Sequence, residues 1–213
     1  MKVVIISGGI GSGKSTVCNM LEQQYGWPIY EADKRVKELY LSHPSLLSSI
    51  ETALGTVLRD EYGAFVPYLL ADRIFSDKES LSAVESLVFP VLIEDFFRWK
   101  NEHTQNKIVI LESATILEKP SLAGLGDFVV VVDAPVEVRI DRALARDCSA
   151  SRESVTARVA NQTLMNNISK GLVPSEVDYV IDNGNDLERL NENLKKCVEF
   201  LMKQMCFDDE QKS

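Results

Sequence analysis

The eight residues Gly8-Gly9-Ile10-Gly11-Ser12-Gly13-Lys14-Ser15 fit the pattern G-x-x-x-x-G-K-[ST] without a mismatch. The apolar run Val3-Val4-Ile5-Ile6 precedes them and reads as a buried strand. Thr16-Val17-Cys18-Asn19-Met20-Leu21-Glu22 follows and reads as a helix with Val17, Met20 and Leu21 on one face. Strand, glycine loop and helix in this order form a cradle for polyphosphate, because the loop's N–H groups and the positive end of the helix dipole converge on it. Gly9, Ile10, Gly11, Ser12, Gly13, Lys14, Ser15 and Thr16 are therefore the expected triphosphate site. Lys14 would reach the outer phosphates, and the Ser15 hydroxyl would ligate Mg²⁺.

The rest of the chain alternates short apolar runs with helical patterns, which predicts a parallel sheet covered by helices. Besides 3–6, strands are expected over 28–30, 108–111, 128–132 and 179–181. The two runs Ile108-Val109-Ile110-Leu111 and Phe128-Val129-Val130-Val131-Val132 are continuous rather than alternating, as in strands buried on both faces. The expected fold is an α/β, P-loop three-layer fold with a five-stranded parallel sheet, a helical substrate-binding insertion and a helical lid. Nearly eighty residues separate the second and third strands, too many for one crossover. Leu81, Val84, Leu87, Val88, Val91 and Leu92 recur there at helical spacing, with Pro90 marking a kink or a fresh start. The expected organisation is a nucleotide-binding core over 1–33 and 106–205, with the lid at about 139–165. A helical acceptor lobe covers 34–105 and a polar tail 206–213. Helices are further expected over roughly 152–164, capped by Ser151, and from about 187 to 202.

The formal net charge of −9 and the lack of any basic run argue against a nucleic-acid partner, yet leave room for a small anion in a locally basic cleft. Cys18, Cys148, Cys197 and Cys206 form no C-x-x-C pair, against zinc and against a disulfide framework. No apolar run approaches the ~18 residues of a membrane span, and Val3–Ile6 ends too soon for a signal peptide. The expectation is a cytoplasmic protein without membrane or nucleic-acid partners, a monomer or small homo-oligomer.

A phosphate loop alone does not distinguish a kinase from a switch or a motor. The base-reading pattern N-K-x-D is absent, since Asn106-Lys107-Ile108-Val109 lacks the aspartate, and Leu111 is followed by Glu112 and Ser113 rather than by two acids. Asp33, just past the second strand, would lie at the carboxyl end of the sheet, where a carboxylate can take the proton of an acceptor alcohol. It could equally cap a helix beginning at Lys34; Glu31 is the weaker alternative base. Arg139, Arg142 and Arg146 share one helical face. They form either a phosphate-closing lid or a solvated row paired with Asp141 and Asp147. Arg73 is either an anion contact or a surface partner of Asp72 or Asp77. Glu112 and Glu118, near the end of the third strand, could polarise a metal-bound water or orient the acceptor. His43 and His103 read as exposed polar residues.

Together these pieces resemble the dephospho-CoA kinase family over nearly the whole chain. The family's opening G-G-I-G-S-G-K-S-T-V is present at Gly8–Val17, and its D-[AT]-D appears as Glu31-Ala32-Asp33. R-x-x-[VI]-F is approximated by Arg73-Ile74-Phe75, the lid pair R-x-x-x-R falls on Arg142 and Arg146, and a later glutamine on Gln162. The closing A-D-x-V-I-x-N-x-G corresponds to Val177-Asp178-Tyr179-Val180-Ile181-Asp182-Asn183-Gly184. The resemblance implies phosphorylation of the ribose 3′-hydroxyl of dephospho-CoA by ATP with Mg²⁺, giving CoA and ADP. It assigns Asp33 as base, Lys14 and Arg142 as catalytic cations, Arg146 and Asn183 to ATP, and Arg73, Phe89 and Glu118 to the acceptor. Three departures lie on the acceptor side. Glu31 replaces the first aspartate, Phe89-Pro90 replaces His-Pro, and Ala114-Thr115-Ile116-Leu117-Glu118 replaces P-L-L-[FV]-E. A kinase of another small acceptor, such as a nucleoside or nucleotide, and a non-catalytic nucleotide-binding module are the alternatives.

Overall fold

The structure, a computed structural model, describes residues 1–210. The chain runs β1 (Lys2–Gly8), α1 (Lys14–Tyr25), β2 (Ile29–Glu31), α2 (Ala32–Ser42), α3 (Pro44–Leu54), α4 (Pro67–Ser76) and α5 (Lys78–Glu102). It continues through β3 (Ile108–Glu112), a 3₁₀ turn (Ile116–Glu118), α6 (Pro120–Ala123), β4 (Phe128–Asp133) and α7 (Val136–Arg146). The last elements are α8 (Arg152–Ala160), α9 (Thr163–Ile168), β5 (Tyr179–Asp182) and α10 (Leu187–Glu210). Two compact units result: Met1–Ile29 with the chain from Gln105, and Tyr30–Thr104.

The five-stranded sheet is ordered β2-β3-β1-β4-β5, with β1 parallel to β3 and β4, and β4 parallel to β5. Val3, Val4, Ile5 and Ile6 are all 0% exposed, so β1 is covered on both faces, which accounts for its unbroken apolar run. One face packs against α1 and α10 through Val17, Leu21, Leu190, Leu194, Val198 and Leu201. Burying that many branched apolar side chains, at roughly 1.5–3 kcal/mol each, is the main force holding the sheet to its helices. The chain leaves β1 for β2 on one side of it, and leaves β3 for β4 on the other. The carboxyl ends of β1 and β3 therefore flank the reversal in strand order, where open α/β sheets build ligand sites.

The second unit is helical. Its long helix α5 packs against α2, α3 and α4 through Val84, Val88, Leu92 and Phe96, all buried. Asp77 caps α5 by accepting the backbone N–H groups of Glu79 and Ser80. Pro90 neither ends nor restarts this helix, which is continuous over 25 residues. The lost hydrogen bond at Pro90 is outweighed by the apolar stripe on either side of it.

Other boundaries differ from the sequence reading. β2 ends at Glu31 and α2 begins at Ala32, so Asp33 lies inside the first turn and not at the capping position. The segment expected as one helix over 152–164 is two, broken at Asn161–Gln162. Ser151 does cap α8, accepting the Ser154 N–H at 3.1 Å. Of the expected tail, 206–210 continue α10, and 211–213 lie outside the described residues. No helix among the described residues is long and apolar enough to cross a membrane.

Candidate active site

Helix α1 starts at Lys14 behind Gly13, whose φ is +93° and which supplies no side-chain cap. Its first turn has no acidic residue. The positive end of the helix dipole and its orphan N–H groups thus carry no internal anion, which suits an external one. Ser12 N–H closes the loop onto the Gly9 carbonyl at 3.1 Å. Among the described residues the buried hydroxyls of Ser7 and Ser12 have no hydrogen-bond partner, an arrangement that favours an oxygen-rich ligand.

Neighbouring segments explain why this loop needs its glycines. A methyl group on Gly9 would overlap the Arg139 guanidinium, and one on Gly11, at φ +72°, the Arg139 backbone carbonyl. One on Gly13 would overlap the Asn183 amide nitrogen. The loop is therefore clamped from behind by α7 and from the side by the turn after β5. Asn183, 5% exposed, donates its Nδ2–H to the Ser12 carbonyl at 2.7 Å, and its own carbonyl accepts from Arg142 Nη1 at 2.8 Å.

The three arginines of α7 do not share one environment. Arg139 is 0% exposed. Its Nε donates to the Ile10 carbonyl (3.1 Å), Nη2 to Gln162 Oε1 (2.6 Å) and Nη1 to Asn166 Oδ1 (3.3 Å). Gln162 Oε1 also accepts the Ile10 N–H at 2.8 Å, which is why the helix expected over 152–164 breaks there. Arg142 is half-buried and Arg146 exposed. Asp141, one candidate partner for the row, is taken by Arg152 at 2.7 Å.

Lys14 Nζ lies 3.8 Å from Glu112 Oε1, and both side chains are 12% exposed. Register pairs Ile6 with Glu112, so this carboxylate stands beside the loop at the carboxyl end of β3. Glu118 is exposed on the 3₁₀ turn. Among the described residues no cluster of three His, Cys, Asp or Glu could hold a metal by itself. The donor on offer is the Ser15 hydroxyl, a hard oxygen that fits a Mg²⁺ completed by phosphate oxygens and water.

The expected acceptor residues other than Glu118 belong to the helical unit. Asp33 is exposed in the first turn of α2, Arg73 is exposed in the last turn of α4, and Phe89 is half-buried in α5. Around Asp33 the sequence reading missed a network. Tyr30 Oη donates to Asp95 Oδ2 at 2.7 Å, and Arg35 grips both Asp95 oxygens through Nε (2.6 Å) and Nη2 (2.9 Å). Burial opposes ionisation of Asp95, yet the bonds from Arg35 and Tyr30 hold its carboxyl below the ordinary range; the Tyr30 hydroxyl is pushed far up by burial and by Asp95. The available signal was Asp95 itself, a carboxylate in the apolar stripe Leu92, Phe96, Trp99. His103 is not merely a surface group: its ring centroid is 4.3 Å from that of Trp99.

The sequence model of the family described as dephospho-CoA kinase matches residues 2–189. A dephospho-CoA kinase of Porphyromonas gingivalis is 35% identical, over 80% of this chain and 82% of that protein. A solved structure of a Thermus thermophilus protein superposes with a TM-score of 0.74 at 28% identity, covering 93% of this chain and 96% of that one. The dephospho-CoA kinase of Campylobacter jejuni shares the fold, with a TM-score of 0.65 at 20% identity over 95% of this chain and 98% of its own.

Proposed function

The chain belongs to the dephospho-CoA kinase family, and we propose that it transfers the γ-phosphate of ATP to the ribose 3′-hydroxyl of dephospho-CoA, giving CoA and ADP, through the residues described above. The observation that carries this reading is the glycine loop itself, wedged between Arg139 and Asn183 with an uncapped helix N-terminus behind it. Its N–H groups hold the triphosphate, and Lys14, drawn to Glu112 at 3.8 Å, stabilises charge on the moving phosphoryl group. The Ser15 hydroxyl would hold a Mg²⁺ bound with ATP, and that ion would supply neutralisation of phosphate charge.

Asp33 accepts the proton of the 3′-hydroxyl as that oxygen forms its bond to the γ-phosphorus. The bond from phosphorus to the β–γ bridging oxygen breaks, and ADP leaves with the electron pair. Arg142 and Arg146 close over the phosphates, with Asn183 on the ATP side, while Arg73, Phe89 and Glu118 contact the acceptor. Support for Asp33 as base comes from its exposure at the start of α2, at a position where no cap is required of it.

The test is CoA formation by purified protein with Mg-ATP and dephospho-CoA. Asp33→Asn is expected to leave the KM for ATP nearly unchanged and to lower kcat by roughly 10²–10⁴. Unchanged turnover would remove Asp33 from the chemistry. No CoA, together with phosphorylation of another alcohol, would overturn the acceptor assignment.

A further inference from the structure

We propose that Arg139 is a phosphate-attracting cation of the loop, its charge held behind Gly9, Ile10 and Gly11 for the nucleotide and not for the fold. The inference rests on triphosphate binding at this loop. A guanidinium that is 0% exposed is costly unless an anion compensates it. The hydrogen-bond partners of Arg139 are the Ile10 carbonyl and the side-chain carbonyls of Gln162 and Asn166, all neutral. Among the described residues no carboxylate forms an ion pair with it; Asp133 acts on it only as a more distant charge.

Burial draws the guanidinium's pKa down from its ordinary value, but arginine keeps its proton. The result is a positive charge inside the nucleotide unit with no carboxylate in ion-pair contact among the described residues. Arg146, by contrast, is exposed, and water screens it.

The placement is directed. The guanidinium occupies the space that a methyl group on Gly9 would need, so it lies in contact with the loop backbone. Drawing the Ile10 carbonyl toward Nε turns the N–H of the same planar peptide, that of Gly11, the opposite way. A carbonyl bonded to a cation also polarises its peptide and sharpens that N–H as a donor. Arg139 therefore acts on an anion at the loop both by its field and through the peptide it orients.

The experiment compares calorimetric binding of ATP and adenosine, and melting of the nucleotide-free protein, for wild type, Arg139→Gln, Arg139→Lys and Gln162→Glu. Arg139→Gln is expected to lose about tenfold or more in ATP affinity, the effect of one poorly screened charge, with adenosine binding unchanged and no fall in melting temperature. Arg139→Lys keeps the charge but not the guanidinium's bonds, and should lose less ATP affinity than Arg139→Gln. Gln162→Glu retains the acceptor oxygen bonded by Ile10 and Arg139 but neutralises the guanidinium in place. It is expected to raise the melting temperature and weaken ATP binding. ATP affinity unchanged in Arg139→Gln, equal losses for ATP and adenosine, or collapse of that variant's fold would each overturn the proposal, as would wild-type ATP affinity in Gln162→Glu. Wild-type protein with no measurable ATP affinity would overturn the reading of the loop itself, and the inference with it.

Discussion

Gly11 and Gly26 both have positive φ, +72° and +67°, but their surroundings differ. A methyl group on Gly11 meets the Arg139 carbonyl, whereas one on Gly26 meets nothing within 4 Å. Left-handed backbone costs a non-glycine residue about 1–2 kcal/mol, so Gly26→Ala should lower stability by about that and leave ATP affinity unchanged. Gly11→Ala adds a backbone collision that only a shift of the loop against α7 can relieve. Such a shift misplaces the donors, and a fall of at least about tenfold in ATP affinity is expected, given how steeply hydrogen bonds depend on geometry. Melting curves with and without ATP measure both effects; equal ATP-induced shifts in the two variants would show that the contact with Arg139 does not set the loop. The motif was legible in the sequence because its spacing is rigid. The clamping role of Arg139 and Asn183 was not, because they reach the loop from 129 and 171 residues away along the chain, and a helical face of arginines reads alike whether it meets water or another segment.

At the scale of elements, what matters for Asp33 is how the start of α2 is fixed. Tyr30 and Arg35 bracket it and both bind Asp95 on α5, so two helices share one buried carboxylate, 4% exposed in its side chain. Asp95→Asn leaves an amide N–H facing the donors of Arg35 and is expected to cost about 1–3 kcal/mol, the usual penalty for an unsatisfied buried group. The pH dependence follows from the depressed carboxyl. A carboxylate whose folded pKa lies below its unfolded value contributes stability above the unfolded value, near 4, and loses it as pH falls through the folded one. Wild type should therefore lose stability on acidification below about pH 4, while Asp95→Asn, weaker at neutral pH, should show a smaller loss over the same range. Urea titrations at pH 7 and pH 3, followed by Trp99 fluorescence in a Trp27→Phe background, measure this. Parallel pH profiles in the two proteins would mean that Asp95 is not the group responsible. The same interplay of local pattern and distant contact explains which boundaries the sequence concealed. Apolar spacing predicted α5 but not its continuity through Pro90, and it predicted a helix past Asn161 where Gln162 instead turns its side chain to Ile10.

For the whole molecule, the division into two units has a consequence for what each can do alone. The core around Val4, Ile6, Val130 and Leu194 draws only on residues of the nucleotide unit, as do the clusters around Ile140 and around Met165. The alternation of strands and helices made this unit legible from sequence, while the helical lobe showed itself mainly as a stretch too long for a crossover. The ends where the lobe enters and leaves are close: Asn106 Nδ2 donates to the Gly26 carbonyl at 3.2 Å, and the Ile110 N–H to the Pro28 carbonyl at 2.8 Å. Replacing residues 30–104 with a flexible linker of about six Gly and Ser residues, enough to span on the order of 13 Å, should therefore leave the remaining strands and the phosphate loop folded. Cutting after Ile29 also removes Tyr30 together with its ring partners Phe96 and Trp99, so no aromatic group is left stranded. The shortened protein is expected to bind ATP within about threefold of the full chain, because Lys14, Arg139, Arg142 and Asn183 are retained and distant sites contribute independently. It should form no CoA, since Asp33, Arg73 and Phe89 are gone. Calorimetry with ATP and a CoA-forming assay on the same preparation decide the matter. Loss of ATP binding with the circular-dichroism signature of the sheet intact would mean that the helical lobe takes part in holding the donor as well as the acceptor.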